Sequence, residues 1–254
     1  MPPTQNSPIQ VIGGGTWGIS TALTLARRGY TDILVLDSCA IPSSISAGND
    51  VNKIMEEGDP PSSTDNQESY VWNRMHQIAT EAWRNDEVYK RFYHETGIVF
   101  AAVGDEAYEH VKGYTTGHED EYEVVNGKEA FRKMMPEGVL NGEFPGWRGF
   151  WRKKGAGWVF ARGAMMSAYS EACRLGVKFV AGDPVGKVQA LIYDEDAGKV
   201  LGARTADAVE HLAEHVILAA GASSDLIFDF EGQLRQTAWV STRIPPPSPV
   251  FTLS

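Results

Sequence analysis

The chain has 254 residues, 43% hydrophobic and 22% charged, an ordinary globular balance with length for a large core in one or two domains. Its 33 acidic and 23 basic residues leave a formal charge of -10, which disfavours nucleic acid and anionic membrane surfaces as partners. Two cysteines are too few for a disulfide framework, the N-terminus lacks a secretory pattern, and no apolar run reaches the roughly 20 residues that cross a bilayer, so a soluble, intracellular (cytoplasmic) protein is expected.

In chain order, Ile9 to Ile12 reads as a buried strand running into glycines. Ile19 to Arg28 then shows helical spacing stopped by Gly29, and Ile33 to Leu36 reads as a second strand. Strand, glycine turn, helix and strand within about 30 residues make the βαβ unit of a parallel sheet. Residues 57 to 68, rich in Gly, Pro, Ser and Asp, are read as an exposed loop. Ser69 is expected to cap a helix reaching Trp83, and Asn85, Asp86 and Glu87 another that ends near Gly97. From Gly97 to Trp151 come a short strand at Ile98 to Ala102, an acidic polar segment, a helix near Lys128 to Met135 and an aromatic cluster, which together read as an inserted domain. A helix from Gly163 to Leu175 and strands at 177–180, 187–193, 200–205 and 216–219 return to the first domain, which is therefore discontinuous in sequence. Beyond Trp239 the prolines of Ser-Thr-Arg-Ile-Pro-Pro-Pro-Ser-Pro forbid a central strand or helix, and an unstructured tail is expected.

The chemistry starts at Gly13-Gly14-Gly15-Thr16-Trp17-Gly18. Gly13 permits a tight turn, Gly15 lets the backbone approach a pyrophosphate, and Gly18 allows helix and strand to pack closely. Amides at the helix start bind phosphate. Asp37, at the end of the second strand, can accept hydrogen bonds from an adenosine ribose. A G-x-G-x-x-G sequence alone is weak; with a strand before it, a helix after it and this acid it reads as dinucleotide binding.

The segment from Ile41 through Ser46-Ala47-Gly48-Asn49-Asp50-Val51-Asn52-Lys53 to Ile54 separates FAD from NAD, because it closely resembles the fructosyl amino acid oxidases (amadoriases) of the sarcosine oxidase and D-amino acid oxidase superfamily. Further similar segments follow in order: Glu81 to Arg84, Tyr93 to Gly97, Gly157 to Met165, Arg174 to Phe179, Gly186 to Val188, Ile217 to Ala222 and Asp229 to Trp239. The resemblance implies an α/β fold, a Rossmann-like FAD/NAD(P)-binding domain (1–96 and 155–232) with an inserted α+β substrate domain (97–154), both incomplete, and a divergent tail (233–254). It implies oxidation of the C–N bond of a secondary amine, with a small amine substrate, oxygen as acceptor, peroxide as product and a monomeric enzyme. On that resemblance Gly13, Gly15, Thr16, Trp17 and Gly18 hold the pyrophosphate, Asp37 and Ser38 the adenosine end, and the Val188 backbone the adenine. Ala47, Gly48 and Asn49 pass under the flavin ring, Gly221 brings a second backbone segment to the nucleotide, and Lys53 places a cation beside the ring.

The resemblance ends after Trp239. The family's remaining part, implied to supply an oxygen-activating lysine, a substrate-binding arginine and the cysteine that attaches flavin, is expected to be absent, so FAD would be held non-covalently. An active oxidase and a truncated, inactive FAD-binding fragment or binding protein both remain open; an NAD-dependent dehydrogenase is less favoured.

Other patterns carry less. His211-Leu212-Ala213-Glu214-His215 matches a zinc-protease motif only if helical, and a solvated hairpin arm is expected, with no metal. Ser223-Ser224-Asp225 reads as a helix cap. Trp147, Phe150, Trp151 and Trp158 line a cavity or, more commonly for such residues, fill core. Phe160 stands where the family leads one to expect histidine, and Glu56 and Glu57 read as solvated.

Overall fold

The computed structural model describes residues 2–58, 61, 62, 66–194 and 196–236. The proline-rich segment after Trp239 lies outside them. Chain order gives strand β1 (Ile9–Ile12), helix α1 (Thr16–Arg27), β2 (Ile33–Asp37), β3 (Lys53–Glu56), α2 (Gln67–Asn85), β4 (Tyr93–Glu95), β5 (Ile98–Val103), α3 (Asp105–Gly113), β6 (Tyr122–Asn126), α4 (Gly127–Arg132), β7 (Trp147–Arg152), β8 (Ala156–Val159), α5 (Ala161–Arg174), β9 (Lys178–Ala181), β10 (Val188–Asp194), β11 (Lys199–Thr205), β12 (Glu210–Leu212) and β13 (His215–Leu218).

The first sheet is wholly parallel, in the order β13-β1-β2-β9. β1 is buried along its full length because both faces are covered, which is why it reads as a continuous apolar run rather than an alternating one. On one face Val11, Ile33 and Val35 pack against Ile19, Ala22 and Leu23 of α1 and Met165, Ala168 and Ala172 of α5. On the other, Ile12 and Leu36 meet Ala203 of β11 and, half-buried, Val188 and Leu191 of β10. Strands β10, β11 and β12 form an antiparallel sheet there. The result is three layers: helices, parallel sheet and antiparallel sheet. Two further sheets, β3-β8-β4 and β5-β7-β6, are antiparallel and come from the middle of the chain.

Several expectations need correction. No helix runs from Asn85 toward Gly97: Asp86 instead C-caps α2, its Oδ1 accepts from Val88 N–H, a single 3-10 turn follows, and Tyr93–Glu95 pairs with β8. Cross-strand pairing there overrides the local capping signal. The preceding helix begins two residues before Ser69, at Gln67, because the Asn66 side chain is the cap and accepts from Ser69 N–H at 2.9 Å. The acidic segment after Val103 contains helix α3, and the aromatic cluster is divided. Phe150 is buried beneath Tyr108, Trp147 packs edge-on to Phe131, and Trp158, in a different sheet, stacks on His94 at 4.1 Å. Core filling is thus the role of Phe150. The turn at Gly221–Leu226 starts ahead of Ser223 and has no side-chain cap, so Ser223, Ser224 and Asp225 do not act as one.

Arg27, in the last turn of α1, donates two hydrogen bonds to Asp86 and fastens the end of α1 to the end of α2. The guanidinium holds the Asp86 carboxyl below its ordinary range, helped by the Val88 amide. A depressed carboxyl stabilises the fold above its unfolded value of about 3.9 and loses that contribution as pH falls through the folded value. Arg27→Met is therefore expected to lower stability by about 0.5–1 kcal/mol at neutral pH, the pair being partly exposed, and by less at about pH 3. Urea unfolding at both pH values checks this; an undiminished difference in acid excludes the ion pair as its source.

Candidate functional site

Three strands of the parallel sheet deliver their C-terminal ends to one place. The ladder continues past the strands through Gly13 N–H to Leu36 C=O and Ala219 N–H to Ile12 C=O, both 2.7 Å, so the glycine turn, Asp37 and the segment Ala219–Gly221 stand side by side. The carboxyl ends of such strands are where open α/β sheets bind ligands. Gly13 turns the chain at φ +109°. Gly18 is required by packing: a Cβ there would lie 1.7 Å from the Gly13 carbonyl oxygen.

Helix α1 has Gly15 as its N-cap, no side chain capping its amides and no acid in its first turn. Uncapped amides and the positive end of the helix dipole suit an anion such as a phosphate. Asp37 is held beside it, Oδ2 accepting from Gly14 N–H at 2.6 Å and Oδ1 from Cys39 N–H at 2.8 Å. Each oxygen retains lone pairs for a hydroxyl donor. Ser38 next to it is exposed. Gly186 abuts the Asp37 carbonyl, which brings the half-buried Val188 at the start of β10 to the same end of the sheet.

The segment between β2 and β3 folds back over the start of α1. Ser46 N–H donates to Ser43 C=O and Asn49 N–H to Ser46 C=O, closing two turns, and the Ser46 hydroxyl faces Gly15. Gly48 is wedged against Thr16 and Met165; a Cβ there would come within 2.1 Å of Thr16 Oγ1 and 2.5 Å of Met165 Sδ. Asn49 Oδ1 is buried with no hydrogen-bond partner. A buried acceptor left unpaired is costly and signals a missing donor. Ala47 is exposed beside it. An uncapped helix start, a strand-end carboxylate and an orphaned acceptor on the overlying turn together fit a nucleotide whose ring presents an N–H.

Lys53 opens β3, opposite Val159 of β8, and its Nζ donates to Asp50 Oδ2 at 2.8 Å. Gly221, at φ +56°, follows β13 and lines an open groove of about 320 Å³ with Trp17, Thr21, Ile217, Leu218, Ala219 and Ser224. Trp17 is 69% exposed there.

The structure overturns the solvated reading of Glu57. Its Oε1 accepts from Arg84 and from the Tyr93 hydroxyl, and Arg84 also bridges to Glu95, tying the end of β3, α2 and β4 together. Burial, with Glu57 beside it, raises the Tyr93 phenol well above its ordinary range. Glu56 is exposed as expected. His211 lies on β12 of the antiparallel sheet and His215 begins β13 of the parallel sheet, so the pattern that resembled a zinc motif is neither a helix nor the expected hairpin arm but a link between two sheets; His211 is half-buried against the Thr205 hydroxyl rather than solvated. Phe160 packs edge-on to Phe92.

A parallel sheet whose strand ends carry a glycine turn, an acid and an uncapped helix defines a dinucleotide-binding α/β protein. The sequence matches the FAD dependent oxidoreductase (DAO) family over residues 9–252, and the chain belongs to that family. Among solved structures, amadoriase I of Aspergillus fumigatus, a fructosyl amine:oxygen oxidoreductase, is 44% identical with a TM-score of 0.83 over 92% of this chain and 53% of that chain. A modified fructosyl peptide oxidase of Aspergillus nidulans is 31% identical, TM-score 0.75, over 91% and 54%. L-Saccharopine oxidase of Schizosaccharomyces pombe is 26% identical over 228 residues, 84% of this chain and 50% of that protein. The chain thus spans about half the length of these relatives. No helix among the described residues is long and apolar enough to cross a membrane.

Proposed function

We propose that this chain binds FAD and serves an oxidase that breaks the C–N bond of a fructosyl or N-alkyl amino acid and passes the electrons to oxygen, releasing hydrogen peroxide. The observation that carries the reading is the uncapped start of α1, set between Asp37 and a turn with an orphaned acceptor. Its substrate class is supported by the amadoriases and fructosyl peptide oxidase that share its fold.

Bound FAD supplies the two-electron chemistry; the protein binds, orients and tunes it. Amides of the Gly13, Gly15, Thr16, Trp17 and Gly18 turn hold the phosphates, and Asp37 with Ser38 takes the ribose. The Val188 backbone meets the adenine, and Gly221 lets a second backbone segment approach. Ala47, Gly48 and Asn49 support the ring, with Asn49 Oδ1 receiving the donor it lacks. Lys53 stabilises negative charge developing on the ring. Residues 1–96 and 155–232 form the cofactor domain, and 97–154 belong to the substrate domain. FAD is held non-covalently, since Cys39 follows β2 at the ribose end and Cys173 is exposed on α5.

The purified chain is expected to show a flavin spectrum, to release its flavin on acid precipitation, and to yield peroxide with fructosyl-valine, fructosyl-lysine or sarcosine. Absence of flavin sinks the reading. Flavin without peroxide removes the oxidase step and leaves a cofactor-binding protein.

A further inference from the structure

Asp50 and Lys53 are each seated by backbone rather than by chance side-chain contact. The Asp50 carbonyl accepts from Arg162 N–H in the first turn of α5 at 2.9 Å, and its Oδ1 accepts from Val51 N–H at 2.8 Å. Lys53 is fixed by the ladder between β3 and β8. Their side chains then meet at 2.8 Å, Lys53 half and Asp50 one-third exposed. A pair so exposed adds little to stability, so the consequence of fixing it is a local field.

We infer that Asp50 is a positioning residue that seats the Lys53 ammonium and offsets part of its charge, thereby setting how strongly the reduced cofactor is favoured. This rests on the reading above that Lys53 stands beside the flavin ring. A two-electron, one-proton reduction leaves the ring anionic; a lone ammonium nearby favours that form, and an adjacent carboxylate opposes it. The carboxylate therefore keeps the midpoint potential lower than lysine alone would.

The test is the midpoint potential of FAD bound to the full chain, measured by dye equilibration in wild type, Asp50→Asn, Lys53→Met and the double variant. Asparagine keeps an acceptor for the ammonium and removes the charge. Asp50→Asn is expected to raise the potential by about 20–30 mV, equivalent to a five- to tenfold shift of a two-electron equilibrium. Lys53→Met is expected to lower it, and Asp50→Asn to raise it less in the Lys53→Met background than in wild type, since no ammonium then remains to be seated. A potential unmoved by Asp50→Asn while Lys53→Met lowers it overturns this inference alone. A rise on Asp50→Asn as large in the Lys53→Met background as in wild type overturns it too, because Asp50 would then act without seating Lys53. No response to Lys53→Met, or no uptake of FAD, overturns the reading beneath it.

Discussion

Gly18→Val is expected to abolish FAD uptake and to destabilise the fold by about 3 kcal/mol or more, at the upper end of overpacking effects. The first atom added at this position meets backbone: 1.7 Å from the Gly13 oxygen and 2.8 Å from its carbonyl carbon. Gly13 cannot retreat, since its N–H is bound to Leu36 C=O at 2.7 Å and its Cα lies against the Ala219 carbonyl. The strain must therefore either lift α1 from β1, exposing Ile19, Ala22 and Leu23, or distort the turn that presents the amides. FAD titration by fluorescence quenching together with urea unfolding checks both consequences. Wild-type affinity in the valine variant would refute the assignment of this turn to the phosphates.

Asp37→Ala is expected to weaken FAD binding by about 10- to 100-fold, the scale of one or two charge-assisted hydrogen bonds. The alanine also strands the Gly14 and Cys39 amides, which the carboxylate now satisfies, and is expected to cost about 1–3 kcal/mol of stability. Asp37→Asn separates the two effects. Its remaining oxygen can keep one amide partnered while the charge is gone, so stability should recover more than affinity. If FAD binds Asp37→Ala as tightly as wild type, the ribose is held elsewhere.

The parts of the fold legible in the sequence are those whose signals are local. Ile9–Ile12 and Ile33–Asp37 are short apolar runs bounded by glycine turn and acid, and α1 fits its period with Arg27 near its end. The glycine turn, Asp37 and the Ser46 to Gly48 turn are likewise local in sequence, and the structure brings them to one end of the sheet. What could not be read depends on distant partners. Lys53–Glu56 has too little alternation to announce a strand and is one because β8, a hundred residues on, pairs with it. Trp147–Arg152 reads as aromatic residues until β5 and β6 flank it on both sides. Asp86 looks like a helix start, but Arg27 claims it. Asp50 had no individual signal beyond being an acid three residues before the lysine, and its meaning comes from the α5 amide that fixes its backbone.

The central position of β1 also governs order of assembly. Its neighbour on one side, β2, follows almost at once, whereas its neighbour on the other, β13, pairs Ile9 with His215 near the far end of the described chain. A ribosome-bound chain can complete the βαβ unit early yet lacks Ala219 and Gly221 until every element from β3 to β13 has followed. Contacts of such separation slow folding, because the intervening loop must close before they form. If the cofactor engages both sides of β1, FAD bridges two strands made far apart in time, and its capture must wait for β13.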